Sequence, residues 1–106
     1  MKYNKLIRDR IPEIIINNGE EPIIRILDDV EYKQELEKKL LEEYLEVINS
    51  NGLDRLEELA DMLEVIKCLA YLENKTLLDI LEISNEKNEK RGSFKNKIYL
   101  EKVLKK

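Results

Sequence analysis

Between about Glu31 and Glu73 apolar residues recur at helical spacing, and only the short stretch Asn49-Ser50-Asn51-Gly52 breaks the pattern. Turn formers this few in number reverse a chain without separating its two arms, so two long helices must lie antiparallel. The first is predicted from about Glu31 to Asn49, with Leu36, Leu40, Tyr44, Val47 and Ile48 as its apolar stripe. The second is predicted from near Asp54, where Asp54-x-x-Glu57 fits an N-terminal cap, to about Glu73. A third starts at Thr76, with Thr76-x-x-Asp79 as a similar signal, and ends before Gly92. Upstream, Pro12 suits the first turn of a short helix that runs to about Asn17 and stops at Asn18-Gly19. Pro22 to Leu27 and Phe94 to Leu100 read as short strands. The expected fold is mainly α: an antiparallel helical bundle, with a small two-stranded β appendage joining the N- and C-terminal segments. No linker or repeat divides residues 1–106, which read as a single domain.

A chain of 106 residues with 42% apolar content is near the lower end of what builds its own core, so a homodimer or homotetramer is expected. Leu59, Leu63 and Ile66 point the same way, because they exceed what one neighbouring helix covers. Charged residues make up 40%, but the signs are mixed and the net charge is −4, which argues against a nucleic-acid polymer as partner. No run is apolar and long enough to span a membrane, and Met1 to Lys5 carries no export signal; a soluble, cytoplasmic protein with no membrane association is expected. The lone Cys68 and the absence of histidine exclude an internal disulfide and histidine-based acid–base chemistry, and they disfavour zinc. Carboxylates are left as metal ligands, which favours Mg²⁺, with Mn²⁺ possible.

Two acid pairs flank the turn: Glu43 with Glu46, and Glu58 with Asp61. Residues three apart share a helix face, so each pair can present two carboxylates in one direction. In an antiparallel hairpin the two pairs fall at matching heights. Asp61 lines up with Val65, Cys68 and Leu72, and Glu58 with Met62, Val65 and Leu69, so both project from the apolar side. Glu43 lies beside the line of Leu36, Leu40 and Val47, whereas Glu46 is nearer its margin. Burying bare carboxylates costs several kcal/mol per ion. A divalent cation removes the conflict, and Lys38 and Lys39 are the basic residues placed to relieve neighbouring acids instead.

At these residues the chain resembles the MazG-like all-α nucleoside triphosphate pyrophosphohydrolases. Their E-E-x-x-E and E-x-x-D signatures match Glu42-Glu43-Tyr44-Leu45-Glu46 and Glu58-Leu59-Ala60-Asp61. The opening Tyr3-Asn4-Lys5-Leu6-Ile7-Arg8-Asp9-Arg10-Ile11-Pro12 and the ending Lys90-Arg91-Gly92-Ser93-Phe94 are similar to a compact phosphoribosyl-ATP pyrophosphohydrolase-like subgroup. Histidine-pathway enzymes lack both of these flanks, so their substrate is not carried over.

The resemblance implies Mg²⁺-dependent hydrolysis of a nucleoside triphosphate at the α–β bond, in a house-cleaning role. Glu43, Glu46, Glu58 and Asp61 would be the metal ligands, and Glu46 or Glu43 would activate water. Four acids facing an anionic substrate need cations besides the metal. Lys87, Asn88, Lys90 and Arg91 on the third helix, and Lys5 and Arg8 in the opening segment, are the candidate substrate contacts. Tyr44 is a candidate to stack on a base, against the commoner role of a core tyrosine. The alternative is a non-enzymatic helical module that binds a nucleotide or a protein.

Overall fold

The computed structural model describes residues 3–106; Met1 and Lys2, the start of the segment read for an export signal, lie outside the described residues. Four helices follow in order: α1 (Ile11–Asn17), α2 (Asp29–Ile48), α3 (Gly52–Leu72) and α4 (Leu77–Arg91). None is long and apolar enough to cross a membrane.

Local chemistry sets the helix ends. Pro12 occupies the first turn of α1, where its missing N–H costs nothing. α2 begins two residues earlier than its apolar pattern suggests, because the Asp28 carboxylate accepts the Glu31 N–H at 2.9 Å and caps the helix. Arg25 then clamps Glu31 with two contacts of 3.3 and 2.7 Å. α3 also starts early. Asn51 occupies its cap position without a side-chain bond, so Asp54 does not cap; it sits inside the first turn, where it complements the helix dipole. At α4 the capping box is complete: Asp79 N–H donates to Thr76 Oγ1 at 3.2 Å, and Thr76 N–H donates to Asp79 Oδ2 at 2.8 Å. Gly92 ends α4 at φ +81° and ψ 175°, a region essentially reserved for glycine.

α2 and α3 form the expected antiparallel hairpin, and the small core lies between them: Leu36 (2% exposed) and Val65, with Ala70 buried where α3 turns toward α4. The Arg55 side chain fastens the turn. Its Nε donates to the carbonyls of Val47 and Ser50, both at 3.1 Å, and so satisfies acceptors that the end of α2 leaves open. Of the predicted α2 stripe, Leu40 and Val47 are half-buried, whereas Tyr44 and Ile48 are exposed, so Tyr44 is not a core residue.

The β appendage is absent: no strand forms among the described residues. Residues 22–27 and 94–100 are not helical, yet neither pairs with the other, and Ile23, Ile26, Phe94 and Ile98 are almost fully exposed. Pro22 offers no N–H to a ladder. Near the other end, Lys97 N–H turns back to the Phe94 carbonyl at 3.2 Å with Lys97 at φ +62°, which breaks the alternation a strand needs. The helices do not close into a compact bundle either. α4 touches α3 but not α2, and every residue from Leu81 onward is exposed. The molecule measures 68 × 33 × 23 Å with a radius of gyration of 18.6 Å. A compact domain of this length would have about 13 Å.

Two outcomes are expected. Leu36→Ala should lower stability by about 2–5 kcal/mol in urea unfolding, because it opens a void in a core with few other members. The Thr76 backbone N–H, and after it the Thr76 hydroxyl, donate to the Asp79 carboxylate and hold it below its ordinary range. Its stabilising contribution is therefore complete above the unfolded-state carboxylate pKa and is lost as pH falls through the lower folded-state value. Helicity followed by circular dichroism should fall on acidification, and Asp79→Ala should remove the part of that fall that belongs to α4.

Candidate metal centre

The hairpin brings Glu43 of α2 against Glu58 and Asp61 of α3, with one carboxylate oxygen from each within 4.8 Å of the others. Glu43 is 8% exposed, the one buried charged residue among those described. It is inside because it shares the α3-facing side of α2 with Leu36, Leu40 and Val47. Burial pushes its carboxyl up from the ordinary range, and the neighbouring Asp61 and Glu58 carboxylates push it further. Lys39 opposes them from 3.8 Å, one turn back on α2, while also reaching Glu42 at 3.6 Å. Neither distance is a close ion pair.

Arg8 supplies the other nearby cation. Its Nη2 donates to Asp61 Oδ1 at 2.7 Å across 53 positions of sequence, so the segment before α1 reaches the acid cluster. Both partners are substantially solvated, which limits what the bridge adds to stability. Its importance is positional. A guanidinium meets the rim of the site on the carboxylate that a metal would also use.

The structure thus assembles Glu43, Glu58, Asp61 and Arg8. Glu46 stands apart: it is exposed and outside the three-acid group, at the margin of the seam, about 60° around α2 from Glu43. Lys5 is also exposed, its ammonium 5.6 Å from the Tyr3 ring. Lys87, Lys90 and Arg91 line a shallow groove of about 240 Å³ on α4 with Ile83 and Glu86, and Asn88 is exposed beside them. That stretch of α4 lies beyond Ile80, the last residue of the helix that is even partly covered, so the chain's own fold does not carry these groups onto the acids. Lys38 is engaged with Glu35 at 3.1 Å and offers the cluster nothing.

Three carboxylates and no nitrogen or sulfur ligand suit a hard cation. Oxygens on opposite sides of Mg²⁺ stand about 4.2 Å apart at bond lengths of about 2.1 Å. Adjacent oxygens stand only about 3.0 Å apart, so carboxylates within 4.8 Å of one another would have to draw in to share one ion.

No family model and no solved structure matches this chain. An uncharacterized protein of Mycolicibacterium smegmatis is 51% identical over 43 residues, which is 41% of this chain and 44% of that protein. The chain thus spans less than half the length of that curated relative.

Mg²⁺ should raise the melting temperature of the protein, since an ion that prefers the native state adds about 2.7 kcal/mol at a hundredfold excess over its dissociation constant. Glu43→Gln and Asp61→Asn should abolish the shift, whereas Glu46→Gln should retain most of it. Equal loss in all three would show that the three-acid grouping is wrong.

Proposed function

We propose that this chain is a Mg²⁺- or Mn²⁺-dependent hydrolase that splits a nucleoside triphosphate, or a related nucleotide, between its α and β phosphates. The buried Glu43 carboxylate, faced by Glu58 and Asp61 across the hairpin, carries the reading. Such a cluster stores repulsion that a divalent cation relieves. The resemblance of Glu42–Glu46 and Glu58–Asp61 to the MazG-like signature supplies the reaction class. In the same reading the protein works as a house-cleaning enzyme in the cytoplasm, as a homodimer or homotetramer, and not on nucleic-acid polymers.

Glu43, Glu58 and Asp61 would hold the metal, whose chemistry when bound would be to neutralise phosphate charge and lower the pKa of water. Glu46, exposed one turn beyond Glu43 and in no ion pair among the described residues, is free to orient the attacking water and take its proton. Arg8 changes partner: once a cation neutralises Asp61, its guanidinium is available to a phosphate oxygen, for which its planar fork is well shaped. Lys87, Asn88, Lys90 and Arg91 form a second basic group for the substrate, on the exposed half of α4.

A panel of standard and modified nucleoside triphosphates, incubated with the protein and Mg²⁺, should yield a monophosphate and pyrophosphate from at least one member. Glu46→Gln should slow turnover by about 10²–10⁴-fold, as expected for loss of a general base. Cleavage that releases a diphosphate, or parental rates in both Glu43→Gln and Glu46→Gln, would sink the proposal. Tight nucleotide binding that ignores Mg²⁺ and yields no product would favour a binding module.

A further inference from the structure

The chain exposes 10249 Å² of solvent-accessible surface. A folded monomer of 12.6 kDa ordinarily exposes roughly 6,200 Å², so about 4,000 Å² is in excess. A stable pairing needs only about 800 Å² from each partner. Much of the excess is apolar and falls in two places. One is α3, where Leu56, Leu59 and Leu63 recur three and four residues apart and remain about half exposed. The other is the segment 92–106, where Phe94, Ile98, Leu100, Val103 and Leu104 are each at least 74% exposed in a non-helical stretch.

Charge divides in the same way. Segment 92–106 holds five lysines against one glutamate, whereas residues 1–91 hold fourteen basic against twenty-two acidic side chains. On α3, Asp54 and Glu57 take part in no ion pair among the described residues, although helical spacing sets both off the leucine face. Reach is sufficient: nine extended residues after the Lys97 turn span about 30 Å, and the stripe from Leu56 to Leu63 rises by about 10 Å.

We propose that segment 92–106 is an exchanged arm that lies along the Leu56, Leu59 and Leu63 stripe of a second copy of this chain, with the second copy's arm returned in the same way. The proposal rests on the homo-oligomer reading above and not on the hydrolase reading. Reciprocal exchange gives the arm's apolar residues a cover that their own chain does not provide. It also brings a basic segment to a body with an excess of acids, which favours encounter between copies. Each copy contributes one arm and one stripe, so the contact closes as a symmetric pair.

Light scattering on the full chain should give a mass twice 12.6 kDa, and Ile98→Glu combined with Leu100→Glu should reduce it to 12.6 kDa. A nitroxide placed by Lys102→Cys in a Cys68→Ser background, mixed with isotope-labelled copies that carry no nitroxide, should broaden the amide signals of residues 56–63 in the labelled copies. The second measurement stands even if the arm variant fails to fold. A dimer without that broadening, or one whose mass the arm substitutions leave unchanged, overturns arm exchange and leaves oligomerisation in place. A monomeric wild type overturns both. Broadening at 56–63 only when nitroxide and isotope share one chain shows the arm folding back on itself, and that too overturns the exchange.

Discussion

The Glu43 carboxylate sits in the seam of the hairpin, and the rest of the site follows from that placement. A helix can keep an acid on its buried side only if the acid's charge is met from elsewhere, since desolvation disfavours the ionised form. Here the nearest groups on the facing helix, Glu58 and Asp61, carry the same sign and hold the proton on more tightly. The cationic answers are partial: Lys39 stands at 3.8 Å and Arg8 reaches only Asp61. A core this small would be better stabilised by leucine at position 43. That the seam carries an acid there, opposite two more, is the observation on which the proposed cation site rests.

Arg8 gives the opening segment a task that composition alone would not suggest. Before a metal enters, its guanidinium offsets part of the cluster's repulsion from the rim. A cation entering among the same oxygens weakens that attachment, because Asp61 Oδ1 then has a stronger partner. The guanidinium stays tethered through residues 9 and 10 to α1, close to where an anionic ligand would meet the metal. In the proposed reading, loading the site and freeing Arg8 for a phosphate would be linked through the Asp61 carboxylate.

Much of this was legible in the chain itself, and the parts that were not share a cause. The reversal at Asn49–Gly52, the Pro12 helix start and the Thr76–Asp79 box are encoded within a few residues, and each forms as its local chemistry dictates. The apolar strip also separated Glu43 from the marginal Glu46, a distinction the structure sharpens into inside and outside. What sequence missed depends on partners distant along the chain or in another chain. The Arg8–Asp61 contact joins positions with no shared periodicity, and Arg55 caps α2 from the far side of the turn. The two supposed strands were read from β-branched and aromatic content, which reports a surface awaiting cover and does not say what covers it. Tyr44 misled for the same reason: its stripe position implied a core deeper than two helices can make.

The two unresolved costs in this chain call for different remedies. Repulsion among Glu43, Glu58 and Asp61 is concentrated in a few cubic ångströms, and only a small, dense charge can enter there. The uncovered apolar surface is spread along α3 and the arm, and no ion or nucleotide can cover it. A single ligand therefore cannot complete this fold. In the proposed reading a metal would answer the seam, while an apolar protein surface would answer the stripe. Because α3 carries both, with Glu58 and Asp61 toward α2 and Leu56, Leu59 and Leu63 exposed, pairing of two copies would brace the helix that supplies two of the three ligands. A braced helix holds its carboxylates in place at less entropic cost when the cation arrives. If both proposals hold, assembly and metal affinity would be coupled through the rigidity of α3, without any contact between the arm and the ion.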